Sequence, residues 1–256
     1  MTLNFQFGFW DWLLLLVVTL HATTIAYLYR PEWKALALSL PFPFTVAYLA
    51  LGQPVNATNV SGLALWFVFM HGVRILRQNR RWPIVAAIAL MALAYSGIAL
   101  ALAPVLPASG AAFWLSLGLL LALAIWAYYA APHQNEPGHR TSLPLWAKLP
   151  ILAAVVLCLL ILKKQMQGFM TVFPMVSVLA VYEARHSLGT MCRQMPAIVI
   201  TLLAMFAIIR LSEPGFGSAR ALALSWVACL LLFAFFTRRP ACNAMRSIAG
   251  RQRERD

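Results

Sequence analysis

The residues best suited to chemistry in this chain are grouped in Tyr182-Glu-Ala-Arg-His186, at the end of a long apolar run. Glu183 and His186 are three positions apart, and that spacing puts two side chains on one face of a helix. A carboxylate beside an imidazole can bind a proton or a small cation. The spacing therefore makes Glu183 and His186 candidates for proton or cation handling where the apolar run ends.

The same stretch has a second interpretation, in which it marks only the end of a membrane helix. Arg185 would then extend its charge toward the headgroup layer, and Tyr182 would belong to the aromatic belt at the interface. Both interpretations of the stretch stay open at this point.

Two further residues could act together with this stretch. Pro174 lies inside the same apolar run and removes a backbone donor there, which predicts a kink or a break. Lipid cannot satisfy the carbonyl that this leaves without a partner, so a neighbouring helix or a water-filled cavity should. His71 ends another apolar run at a comparable place and could face His186. The candidate transport or gating residues are therefore Glu183, His186, Arg185, Pro174 and His71.

The sequence offers no pattern for catalysis, metal binding or cofactor binding. Di-metal carboxylate sites need two helical Glu-x-x-His motifs and further glutamates. Glu183 and His186 form one such pair, and the other match, Glu136-Pro-Gly-His139, lies in a stretch of helix breakers. The four cysteines include no C-x-x-C pair, and no glycine-rich phosphate loop, G-x-S-x-G or H-E-x-x-H is present. We therefore assign no catalytic residue, no metal ligand and no cofactor.

Composition identifies the chain as an all-α polytopic membrane helical bundle. Apolar residues make up 62% of its 256 residues and charged residues only 11%, which is too little polar surface for a soluble domain. The net charge of +13 comes from basic residues in short loops and in the tail. That placement indicates topology signals and anionic lipid, and it argues against nucleic acid as a partner.

Segments long enough to cross a bilayer predict about nine transmembrane helices in one domain, residues 1–239. With the N-terminus outside, all but four of the 20 Lys and Arg residues fall on the cytoplasmic side, together with a basic tail at 240–256. The charge bias therefore predicts a multi-pass membrane protein with its N-terminus outside and its C-terminus cytoplasmic. The nine segments are 9–29, 35–52, 57–76, 83–106, 111–131, 146–162, 166–188, 196–212 and 219–237.

An internal duplication is also predicted. The motif Pro31-Glu-Trp-Lys34 opens the second span and Pro144-Leu-Trp-Ala-Lys148 opens the sixth. Residues 31–131 and 144–239 would then be tandem four-helix repeats, with 9–29 as an extra helix. An even number of helices gives both repeats the same orientation, so they would be related by an axis along the membrane normal.

The stretches Phe173-Pro-Met-Val-Ser-Val, Tyr182-Glu-Ala-Arg-His-Ser and Arg193-Gln-Met-Pro196 resemble the small GlpM-like family of bacterial inner-membrane proteins. The resemblance covers about 40 residues and implies a short multi-span unit with a proline-containing helix. It also implies that the protein is located in the bacterial inner membrane, and that Pro174, Glu183, Arg185 and His186 are important.

Three functional hypotheses follow from the sequence. The leading one is a small-solute permease with its cavity between the two repeats, moving a small solute or a proton. The second is a membrane scaffold or accessory subunit that forms a homo-oligomer or binds a partner subunit. The third is an intramembrane enzyme acting on a lipid or a quinone.

Overall fold

The structure is a computed structural model that describes residues 8–130, 136 and 165–253, with side chains placed for all of these except 31–32 and 237–253. The predicted sixth span, 146–162, lies outside the described residues. Within the described part of the chain every regular element is a helix, which agrees with the predicted all-α class. The elements are α1 (Phe9–Tyr27), α2 (Pro31–Leu38), α3 (Phe42–Leu51), α4 (Ala57–Gln78), α5 (Ile84–Leu102), α6 (Gly110–Ala130), a 3₁₀ helix (Gln167–Val172), α7 (Met175–Glu183) and α8 (Leu188–Arg253).

Local sequence explains where these helices begin and end. Asp11, which the sequence places at the membrane boundary, accepts a hydrogen bond from the Gly8 amide at 2.9 Å and so caps α1. Asn56 caps α4, with its Oδ1 accepting from the Thr58 amide at 2.9 Å. The helix α3 ends at Gly52, whose φ of 62° is a conformation that suits glycine.

Six stretches of the described residues are long and apolar enough to cross a membrane. The helices α5 and α6 expose large apolar side chains, among them Leu93, Leu115 and Leu119, each about two-thirds uncovered. Such faces are costly in water and suit lipid, so the helices belong in a membrane. The six stretches are Phe9–Tyr27, Trp33–Leu51, Ala57–Gln78, Ile84–Leu102, Gly110–Ala130 and Leu188–Phe236.

The chain divides into two compact units, residues 1–199 and 200–256. In the first unit, α1 packs against α2, α3 and α7, while α4 packs against α5, α6 and the 3₁₀ helix. Leu14, Val18 and Ala22 repeat every four residues along α1 and are fully buried. Their spacing forms one stripe, which α1 turns toward the core of this unit.

The second unit contains the remainder of α8, and its backbone leaves the helical conformation at Gly217. Gly217 lies within the connection, 213–218, that the sequence predicts between the last two spans. Gly217 has φ 76° and ψ 163°, a combination that only glycine adopts readily. The predicted spans 196–212 and 219–237 lie on either side of it, and most of the predicted tail, through Arg253, continues the helix.

Candidate functional site at two interrupted helices

Two of the predicted spans are divided in the middle by a proline. The span predicted at 35–52 is divided into α2 and α3, and the one predicted at 166–188 into the 3₁₀ helix and α7. Pro41 precedes α3 with φ −82° and ψ 31°, and Pro174 precedes α7 with φ −72° and ψ 43°. Prolines at the two breaks therefore adopt nearly the same conformation. We call residues 31–51 the first interrupted span and residues 167–183 the second.

The two interrupted spans run in opposite directions where they meet. The first half of one, α2, packs against the last half of the other, α7. The last half of the first, α3, packs against the 3₁₀ helix that begins the second. Two parallel segments would pair first half with first half, so this pattern defines an antiparallel pair.

A buried lysine connects the two interrupted spans at one end. Lys34 in α2 is 1% exposed, and its Nζ donates to the main-chain carbonyl of Glu183 at 3.0 Å. Glu183 is the last residue of α7, where carbonyl groups have no donor within the helix. The ammonium therefore supplies both a hydrogen bond and a favourable charge at the C-terminus of α7.

A cluster of polar side chains lies at the other end of the second interrupted span. Asn59 on α4 is 2% exposed, and its Nδ2 donates to the Thr171 hydroxyl at 2.9 Å and the Gly168 carbonyl at 3.4 Å. The Gly168 amide donates to Thr58 Oγ1 at 3.0 Å. We call Thr58, Asn59, Gly168 and Thr171 the asparagine cluster. It satisfies backbone groups that lack α-helical partners in the 3₁₀ helix.

Two aromatic side chains complete the contacts of the second interrupted span. The Tyr95 hydroxyl on α5 donates to the Phe169 carbonyl at 2.9 Å. The Trp66 indole on α4 donates to Ser177 Oγ at 2.7 Å. Side chains from the uninterrupted helices α4 and α5 thus form hydrogen bonds with the second interrupted span. Irregular backbone buried within a membrane requires such partners, because lipid offers no hydrogen bonds.

The predicted site residues are distributed differently from the sequence expectation. Glu183 is completely buried, whereas His186 is exposed, because α7 ends at Glu183 and His186 lies in the following turn. The one-face argument for this pair assumed a helix through His186, and that assumption was wrong. Pro174 forms the predicted break.

The side chains of Arg185 and His71 each contact a residue three or four positions earlier in the chain. The Arg185 guanidinium lies 5.1 Å from the centre of the Tyr182 ring and donates to the Tyr182 carbonyl at 3.3 Å. His71 Nδ1 is 3.0 Å from the Phe67 carbonyl, and its ring stacks on that of Phe67 at 4.1 Å. These contacts fit the interfacial interpretation of Arg185 as well as the functional one.

Sequence reasoning did not select Lys34 or Asn59 as site residues. Lys34 was counted as one of the basic residues on the cytoplasmic side, and Asn59 stands beside a helix start where asparagine is ordinary. The sequence did contain a signal for each residue. Lys34 borders an apolar run and Asn59 lies within one, where polar side chains are rare and often functional. No group of three or more metal-ligand side chains occurs among the described residues.

Close packing of α4 on the 3₁₀ helix predicts a sharp difference between two glycine substitutions. A Cβ at Gly62 would lie 2.7 Å from Val172 Cγ2 and 3.3 Å from the Phe169 Cα. We expect Gly62→Ala to lower the free energy of unfolding by about 2 kcal/mol through overpacking. Gly97 in α5 has open space around it, so Gly97→Ala should be neutral or stabilising by about 1 kcal/mol. Denaturation of the two purified variants in detergent tests this, and equal stability would contradict the packing.

No protein-family model, curated protein or solved structure matches the chain.

Proposed function

We propose that the protein is a small-solute permease of the bacterial inner membrane, with its path at the two interrupted spans. Transporters commonly place their sites where discontinuous helices meet near the middle of the bilayer. The observation that carries the proposal is the antiparallel pair of proline-interrupted spans, with the buried charges of Lys34 and Glu183 at one end. Charged side chains are costly in this setting, and proteins that retain them there commonly use them.

We further propose that the two interrupted spans are counterparts in an inverted repeat. Each has a hydroxyl just before its proline that donates to the carbonyl three residues back: Ser39 to Leu36 at 2.6 Å, and Thr171 to Gly168 at 2.7 Å. After each proline come a helix of 10 or nine residues, a short connection and a long helix. Counterparts that run antiparallel are related by an axis in the membrane plane.

The parallel pairing of 31–131 with 144–239 stays an alternative prediction, since its second copy begins outside the residues that the structure describes. In the nine-span topology with the N-terminus outside, the second and seventh spans cross in opposite directions, as an inverted pair must. The resemblance to GlpM-like proteins, which rests on the segment around Pro174, is compatible with either pairing.

The experiment for this proposal is solute uptake into proteoliposomes that carry Glu183→Gln. Replacing the buried Glu183 carboxyl by an amide should slow uptake at least about tenfold, or 1.4 kcal/mol, since ionisable groups retained inside a membrane commonly take part in transport. Glu213→Gln, in the second unit, is the matched control and should transport at the wild-type rate. Full activity of Glu183→Gln would remove this carboxylate from the mechanism.

One observation favours the second candidate, a membrane scaffold or accessory subunit. The backbone at the second break is buried and hydrogen-bonded by Asn59 and Tyr95, as a purely structural kink would also be. A scaffold would use the basic tail or an exposed helix face to bind a partner subunit or a second copy. Deleting residues 240–256 should then release a co-purifying partner, whereas a permease should keep its uptake activity.

A further inference from the structure

The C-terminus of α7 binds two cationic side chains through its main-chain carbonyl groups. The Tyr182 carbonyl accepts from the Arg185 guanidinium at 3.3 Å, and the Glu183 carbonyl accepts from Lys34 Nζ at 3.0 Å. Carbonyl groups at this end of a helix have no donor within the helix, and the helix dipole is negative here. Two consecutive carbonyl groups therefore each bind a positively charged group.

Lys34 differs from the other basic residues whose side chains the structure describes. It is the only one of them that is buried, and it is among the largest of the completely buried side chains. It also reaches α7 from another helix, 149 positions away from Glu183. A buried ammonium is unfavourable unless its surroundings replace the hydration that it loses. The carbonyl end of α7 provides that replacement.

The surroundings of this ammonium are those of a site for a monovalent cation. Helix C-terminal ends and unwound carbonyl groups bind sodium in transporters that have interrupted helices. Glu183 also carries a buried carboxyl group, which attracts a cation when it is ionised. Both interrupted spans contribute, because the second supplies the carbonyl and the first supplies the positive charge.

We propose that the C-terminus of α7 is a binding site for a monovalent cation, which the ammonium group of Lys34 occupies as a tethered ion. The ammonium takes the place of a free sodium or potassium ion, so neither ion is needed to connect the two interrupted spans. The consequence for transport, that uptake requires neither ion, rests on the proposed permease function. The site itself does not rest on that function, and stability measurements alone test it.

Two substitutions separate the charge of the Lys34 side chain from its volume. Lys34→Ala removes the outer methylene groups and the ammonium, which together have the size and charge of a propylammonium ion. Lys34→Met removes the charge and fills most of the same space, so it is the matched control. We expect both variants to melt at least about 5 °C below wild type, since each loses a buried hydrogen bond from a charged group.

The first measurement is the melting temperature of the two full-length variants in detergent, with propylammonium chloride or with 1-propanol added. 1-Propanol is as long as propylammonium and donates a hydrogen bond, but it has no charge. Excess propylammonium should raise the melting temperature of Lys34→Ala by about 3 °C. It should leave Lys34→Met unchanged, because methionine fills the site. No rise in Lys34→Ala, or an equal rise with 1-propanol, would overturn the inference.

The second measurement uses the wild-type protein and does not depend on whether the variants fold. Its melting temperature is compared in sodium chloride, potassium chloride and choline chloride at equal ionic strength. Since Lys34 already occupies the site, the three values should agree to within about 1 °C. Stabilisation by sodium or potassium over choline would contradict the tethered ion. Neither measurement involves transport, so this inference and the permease proposal can fail separately.

Discussion

Replacing Lys34 with methionine is expected to lower the free energy of unfolding by about 2 kcal/mol. Methionine keeps the aliphatic stem, so packing changes little, but the hydrogen bond from the ammonium to the Glu183 carbonyl is lost. Hydrogen bonds that involve a charged group contribute about 1.5–3 kcal/mol. The carbonyl at the end of α7 also loses its favourable charge. Chemical denaturation in detergent, followed by tryptophan fluorescence, measures the change.

Arg30→Met is the matched control for this substitution. Arg30 is an exposed basic residue immediately before α2, so its replacement should change stability by no more than about 0.5 kcal/mol. Lys34→Met as stable as Arg30→Met would mean that the contact between the two interrupted spans does not stabilise the fold.

Replacing Asn59 with aspartate is expected to lower the free energy of unfolding by about 3 kcal/mol. The two side chains have the same shape, but the carboxylate has no Nδ2 donor for the Gly168 carbonyl. It would place a negative charge among buried acceptors, and leaving buried polar groups unpaired costs about 1–3 kcal/mol for each group. The loss of stability should be largest at the asparagine cluster. The 3₁₀ helix should therefore unfold locally before the rest of the protein.

Asn79→Asp tests whether the effect comes from the cluster or from the substitution itself. Asn79 is the exposed C-cap residue of α4, where a negative charge should cost only about 0.5 kcal/mol. Hydrogen exchange of the two variants should show faster exchange at residues 167–172 in Asn59→Asp alone. Similar exchange in both variants would refute the role of Asn59.

Several features of the fold could be predicted because they depend on local sequence. Pro174 lacks a backbone donor wherever it stands, so the break there followed from residue type alone, and the same reasoning applies to Pro41. The helices α1, α4, α5 and α6 agree with their predicted spans to within a few residues, because a long apolar run bounded by turn residues is a local signal. Membrane character followed from composition for the same reason.

The site could not be predicted because it depends on contacts between distant residues. Lys34 and Glu183 are 149 positions apart, and Asn59 and Thr171 are 112 apart. No spacing rule connects such pairs. The sequence therefore selected Glu183 because acidic residues are rare within the spans, and it did not indicate that the Glu183 carbonyl contacts Lys34.

A permease and a dry scaffold differ most directly in whether water reaches the breaks. Ser39 lies just before the first break and is 4% exposed, so a cysteine there should react only when the interrupted spans move apart. Leu14→Cys, fully buried on α1, is the matched control. Both would be placed in a protein whose native cysteines have been replaced by alanine.

The deciding measurement is the reaction of Ser39→Cys with a membrane-impermeant thiol reagent added to one side of sealed vesicles and then to the other. The proposed permease predicts reaction from both sides, with Leu14→Cys unreactive throughout, because a path at the breaks must open to each side in turn. A Ser39→Cys protein as unreactive as Leu14→Cys from either side would contradict it.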